Sequence, residues 1–195
     1  MTIDGKILLS MEDESEVPAG KLQVLLALLA NASEDGTATF DVLDSAQDTA
    51  DYLELFDEPG GWFGAVDEQF ETGFGLDLLI IHRVEVDAAY RGKGLGLLAV
   101  QAAIGSFSWS CGLVAMKPFP LQFTGWEDEA WQPETPLPNG VTKEQAFHEA
   151  SRKLERYWAR LGFVPIKGTQ LWGLSPAGMQ PSLKEALDGI AASPL

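Results

Sequence analysis

The chain has 195 residues, with 29 acidic residues against 13 Lys and Arg, and a net charge of −16. So acidic a chain lacks the basic face that nucleic-acid phosphates require. It has no run of 18 apolar residues, and its first residues, MTIDGK, lack the basic start and apolar run of a secretory signal, which predicts a cytoplasmic protein with no membrane partner. The single cysteine, Cys111, cannot form an internal disulfide, in keeping with that compartment. The charge is unevenly placed: residues 1–80 carry eighteen acids against two bases, both lysines, and residues 81–195 carry eleven acids against eleven Lys and Arg. At this length one domain is the default, so residues 1–195 are read as a single unit with an acidic N-terminal part, 1–77.

In chain order, Lys6–Met11 and Lys21–Leu29 read as strands, although periodicity alone leaves the second open to a buried helix. The polar link Glu12–Gly20, with Pro18 and Gly20, predicts a loop or hairpin connection, and Asn31–Gly36 another loop. Ser45-x-x-Asp48 predicts a helix start with Ala46, Ala50, Leu53 and Phe56 facing inward, ended by Glu58-Pro-Gly-Gly61. Trp62–Val66 reads as a short strand.

Leu78–Val86 is rich in branched apolar residues and short enough for a strand. Arg91-Gly-Lys-Gly-Leu-Gly96 follows, with three glycines at alternate positions and two cations. Leu95, Leu98, Ala99, Ala102 and Ala103 then recur as one face of a helix. Strand, glycine loop and helix together make an anion-binding arrangement: glycines let backbone N–H groups approach, and a helix start adds a positive dipole end. A Walker loop is absent. Gly94, Gly96 and Ala99 formally match a dinucleotide fingerprint, but no acid lies between Asp87 and Glu127 to hold a ribose hydroxyl.

Downstream, Leu113–Lys117 reads as a strand that Pro118 and Pro120 stop. Residues 118–141 form a long insertion bearing Trp126 and Trp131 around Glu127-Asp-Glu129. These indoles are candidates for a lid or substrate wall, with simple packing of a surface loop as the alternative. Thr142-x-x-Gln145 is a capping box. It opens a helix with Phe147, Ala150, Leu154, Tyr157, Trp158 and Leu161 on one face and Gly162 as its C-terminal cap. Val164–Ile166 and Gln170–Leu174 read as two short strands, Pro165 favouring an edge, and Ser182–Ala191 as a terminal helix.

At two places the chain resembles the GNAT superfamily of acyl-CoA N-acyltransferases. Val86-Asp87 followed by Arg91-x-x-Gly94-x-Gly96 matches its strand end and [QR]-x-x-G-x-[GA] loop. Tyr-Trp-Ala-Arg-Leu-Gly-Phe at 157–163 is similar to its aromatic-x-x-x-Gly-Phe segment. The resemblance implies an α/β GNAT fold, its mixed central sheet splayed beside the pyrophosphate loop and flanked by helices. It also implies transfer of an acetyl group from acetyl-CoA to a primary amine by direct attack, with no metal. The alternative is a non-catalytic acyl-CoA-binding module.

On this resemblance, Arg91, Gly92, Lys93, Gly94, Leu95 and Gly96 hold the diphosphate. Val84, Glu85 and Val86 pair with the pantetheine arm and polarise the carbonyl. Ser151 stands where family members often carry an Asn that touches coenzyme A. His82 is the first candidate base, with a hydrogen-bonded structural histidine as the competing reading, and Glu85 is the second. Strand alternation places Ile80, His82, Val84 and Val86 on one face and Glu85 on the other, unless a bulge exchanges them. The usual tyrosine acid is replaced by Trp158, which leaves Tyr157, one residue earlier, as the candidate acid, or an unassisted thiolate, or a weak enzyme. Trp158 joins Trp126 and Trp131 as a candidate substrate contact. The acidic half could attract a cationic acceptor, although a solubility surface or a high-salt adaptation is the favoured reading. Exposed strand edges and Trp residues leave a homodimer open.

Overall fold

The computed structural model describes residues 1–190 apart from 13, 45, 46, 58–60, 73, 74, 127, 129, 130, 133–135 and 189. It is a mixed α/β structure. Six strands, β1 (Thr2–Ser10), β2 (Glu16–Ala27), β3 (Asp77–Val86), β4 (Cys111–Met116), β5 (Val164–Pro165) and β6 (Trp172–Leu174), form one sheet in the order β1-β2-β3-β4-β6-β5. β3 and β4 are parallel and the other pairs antiparallel. Between β2 and β3 lie the short helices α1 (Leu29–Glu34), α2 (Thr39–Asp44) and α3 (Gln47–Ala50), a 3-10 turn over Asp51–Leu55, and α4 (Gly64–Phe70). Helix α5 (Leu95–Phe107) joins the parallel strands, α6 (Lys143–Ala159) follows the insertion, and α7 (Leu183–Leu187) follows β6.

Two apolar layers sandwich the sheet. On one face Leu79, Ile81 and Val114 pack with Leu97, Val100 and Ile104 of α5, Trp158 of α6 and Ala186 of α7. On the other, Leu78, Ile80, Leu113 and Ala115 pack with Leu29, Leu43, Tyr52, Leu55, Val66 and Phe70 from the segment between β2 and β3. A strand covered on both faces reads as a continuous apolar run, which is why Leu78–Ile81 was legible as a strand. Among the described residues, no helix is long and apolar enough to cross a membrane.

Several expectations need correction. Pro18 and Gly20 lie inside β2, not in a loop. A register shift sets Ile7 opposite Gly20 and Leu8 opposite Pro18, leaving Ala19 as the extra residue of a bulge, where proline is tolerated. Asn31–Gly36 falls largely within α1, whose Ala30 N–H donates to the buried Asp77 carboxylate at 3.0 Å. Trp62–Val66 is not a strand: Trp62 makes a single bridge to Phe56, and α4 begins at Gly64, burying Val66 and Phe70 four residues apart. The inward face of α5 is Gly96, Leu97, Val100, Ala103 and Ile104, not the stripe through Leu98 and Ala102. This helix is apolar on nearly every side, so periodicity did not single out a face. Ser45, Ala46, 58–60, 127, 129 and the end of the predicted terminal helix at 191 lie outside the described residues.

Other expectations hold. The capping box at Thr142 and Gln145 forms in both directions, Gly162 adopts φ +94°, and β5, with Pro165, is an edge strand.

Two tests follow from this packing. A Cβ on Gly20 would collide with the Glu85 carbonyl oxygen of β3. Gly20→Ala should therefore lower stability by about 1–3 kcal/mol, read as a lower urea midpoint at unchanged slope. Burial, then the Asp77 charge, pushes the Cys111 thiol from 9.0 up to about 12, against a smaller opposing pull from Ser110. Above about pH 9 the unfolded thiol ionises while the folded one does not, so stability should fall between about pH 9 and about 12. Cys111→Ala should flatten part of that fall in urea titrations. Tyr52, raised chiefly by burial, keeps a residual slope of the same sign.

Candidate functional site

β3 and β4 are neighbours only at their start. Asp77 to Ile80 pair with Cys111 to Ala115, and the ladder then stops, while β3 runs on through Ile81–Val86 with β2 on its other side. The burial of β3 follows this: Asp77 to Ile81 are buried, and His82 to Val86 are half-buried or exposed. The backbone edge of Val84, Glu85 and Val86 on the β4 side has no strand against it among the described residues.

The parting coincides with a bulge. Gln23 pairs with Arg83 and Val24 with Ile81, so His82 is the extra residue on β3. The bulge inverts the alternation beyond it. Val84 packs on the α5–α6–α7 face with Leu79 and Ile81, whereas Ile80 lies on the opposite face. Ile80 and Val84 therefore do not share a face, which corrects the simple alternation. Glu85 now projects with Arg83, its ion-pair partner, toward the side of Ile80.

The glycine loop follows β3 after a 3-10 turn over Ala88–Tyr90. Gly92 and Gly94 have φ of +73° and +76°, which other residues rarely adopt, and Gly94 is the N-cap of α5. Arg91 Nε donates to the Val86 carbonyl at 2.9 Å, tying the loop to the strand end, and Lys93 Nζ sits 5.6 Å from the Tyr90 ring. Both cations are exposed. Among the described residues, none accepts a hydrogen bond from the amides of Gly92, Lys93, Gly94 or Leu95. A Cβ at Gly92 would meet open space, but one at Gly94 would strike Leu187 of α7, with Ile190 close by. The outer half of the loop is thus open and the inner half covered.

Tyr157 of α6 closes the inner half. Its hydroxyl accepts from the Leu97 N–H at 3.2 Å and lies 2.8 Å from where a Gly96 Cβ would be. Burial pushes its pKa above the ordinary tyrosine value, opposed by the Leu97 and Gly96 backbones, so it stays protonated at neutral pH. Trp158 instead packs in the core, 6% exposed, edge-on to Tyr157. Of the two adjacent aromatics, Tyr157 is the one that reaches the loop.

The remaining candidates lie elsewhere along α6. Ser151 has a buried hydroxyl with no hydrogen-bond partner, beside a cavity of about 380 Å³ that Gln145, His148, Arg152 and Glu155 also line. Trp126 stacks on Phe147 at 4.5 Å and Trp131 on Phe123 at 5.4 Å. Lys143 Nζ stands 5.6 and 5.4 Å from the two indoles. The insertion is thus pinned to the first turns of α6, and Phe147, expected on the core face with Leu154 and Trp158, serves this cluster.

One cleft went unnoticed in the sequence. A cavity of about 420 Å³ is lined by Asp51, Leu53, Glu54, Lys117, Gln170 and Leu171, among others. Its ion pair joins residues 66 apart, and no local pattern announces such a pair. Among the described residues, no group of three or more His, Cys, Asp or Glu could hold a metal ion. Comparison of the chain with family models, curated proteins and solved structures returns no match.

The contact between Tyr157 and Gly96 makes a direct prediction. Gly96→Ala should destabilise the native protein, because the new methyl meets the hydroxyl oxygen. In Tyr157→Phe the nearest ring atoms are at 3.5 and 3.6 Å, an ordinary contact. There Gly96→Ala should be neutral or stabilising by up to about 1 kcal/mol, since alanine is the better helix former. A double-mutant cycle on urea midpoints reads the coupling.

Proposed function

We propose that the protein is an N-acetyltransferase of the GNAT type, moving an acetyl group from acetyl-CoA to a primary amine in a ternary complex. The observation that carries this reading is the parting of β3 from β4 after Ile80, in the strand that leads to the glycine loop. An unpaired strand edge offers N–H and C=O groups to an extended, amide-bearing arm, as an added strand would use them. The open half of the loop offers amide N–H groups and two exposed cations to a diphosphate. In an otherwise acidic chain, Arg91 and Lys93 offset the repulsion of an anionic carrier.

Acetyl-CoA, when bound, supplies the activated acyl carbonyl. The residues of this chain then have separable tasks. Backbone N–H groups of Val84 to Val86 stabilise negative charge developing on the carbonyl oxygen. His82 at the bulge, or Glu85 beyond it, takes the proton of the incoming ammonium. Tyr157 accepts from Leu97, so its own O–H proton is available to the departing thiolate. Ser151, whose hydroxyl is unpartnered, is a polar contact for the carrier farther along α6.

The second reading, a non-catalytic acyl-CoA-binding module, is favoured by one observation. Trp158 holds the position of the usual tyrosine acid, and its ring is in the core. The two readings part on variants. Arg91→Ala should weaken acetyl-CoA binding about tenfold or more by calorimetry in either case. His82→Ala should spare binding and lower coenzyme A release on an amine panel by about a hundredfold only if the protein is an enzyme. A native protein that binds no acetyl-CoA at about millimolar concentration excludes both.

A further inference from the structure

We propose that the cleft between the Asp51–Leu55 turn, the end of β4 and the β5–β6 hairpin is the acceptor site, and that it selects a compact cationic amine by exchange with Lys117. This rests on the acetyltransferase reading for its role as an acceptor site, but not for amine binding itself.

The first argument is position. Lys117 follows β4 directly and is two residues beyond Ala115, the last β4 residue that pairs with β3. At about 3.3 Å per residue, its backbone lies roughly 7 Å from the point of parting. The cleft opens on the sheet face of Ile80, Ala115 and Leu171. The inversion at the His82 bulge turns Glu85 toward that same face.

The second argument is chemistry. The cleft has an apolar wall, Leu53 and Leu171, and a polar wall, Asp51, Glu54 and Gln170. An ammonium already stands in it: Lys117 Nζ donates to Asp51 Oδ2 at 2.6 Å. Both partners are exposed enough, 39% and 56%, for the pair to exchange with solvent or a ligand. A primary ammonium on a short alkyl chain reproduces both the charge and the stem of Lys117. The volume of about 420 Å³ suits a small molecule and not a folded chain. Around Glu54 the acid is raised by burial first and by the Asp51 charge second, with Lys117 and the Gln170 backbone opposing. By residue count the lining carries two carboxyl groups, Asp51 and Glu54, against the single ammonium of Lys117.

The test is calorimetric titration of the full-length protein with 1,4-diaminobutane, alongside butyrate and 1-butanol. The diamine should bind, more weakly at high salt, and the other two should not. Glu54→Gln and Asp51→Asn should each lower diamine affinity about tenfold. Lys117→Met, which keeps the stem and removes the competing ammonium, should raise it several-fold, a gain that misfolding cannot imitate. Acetyl-CoA affinity, measured in the same variants, should stay unchanged. If native protein and Lys117→Met both fail to bind the diamine, or if Glu54→Gln and Asp51→Asn leave its affinity unaltered, the proposal is overturned. Diamine binding without acetyl-CoA binding would retain the cleft as a cation site and remove the acetyltransferase reading.

Discussion

The hydrogen-bond ladder between β3 and β4 ends after four residues of β3, and most of what is distinctive in this protein depends on that. Parallel strands normally stay paired because an unpaired edge exposes backbone polar groups. Here β3 keeps its β2 partner through Val86, and among the described residues no strand lies on its other edge from Ile81 onward. On its other edge β4 pairs with β6 through Val114, Ala115 and Met116. The sheet is therefore continuous, but it opens where the chain enters the glycine loop. The bulge at His82 sits at that opening, where extra twist is easiest to accommodate.

The loop itself is held between two demands. Its left-handed glycines and its exposed Arg91 and Lys93 favour an anion on the outer side. On the inner side Tyr157 satisfies the Leu97 N–H, and Leu187 and Ile190 pack against Gly94. Helix α5 is thus anchored by its neighbours at its N-cap, Gly94, and at Gly96 and Leu97, while Gly92 and Lys93 before it stay exposed. This division lets a rigid helix start present donors without relying on a ligand to hold it.

The acidic N-terminal half and the neutral C-terminal half meet across the sheet. The segment between β2 and β3 contributes Asp51 and Glu54 to the cleft, and the other half contributes Lys117 and Gln170. In the proposed reaction, a negative surface on the acceptor side and local cations on the donor side separate two oppositely charged substrates by electrostatics alone.

The sequence by itself determined the elements whose signals are local. The strand at Leu78–Val86, the glycine loop, the capping box at Thr142 and Gln145, the Gly162 cap and the edge position of Pro165 each depend on a few adjacent residues and their backbone preferences. It placed Tyr157, Ser151, Arg91 and Lys93 on the right elements for the same reason. Only the tertiary structure decided which side each element shows. Helix α5 is apolar all round, so its buried face was chosen by α6 and the sheet. The bulge at His82 reversed which residues of β3 share a face, because pairing with β2 and not the local pattern sets where an extra residue is absorbed. The cleft around Asp51 and Lys117 was illegible because its parts come from segments far apart in the chain, and proximity between such segments is a property of packing, not of spacing.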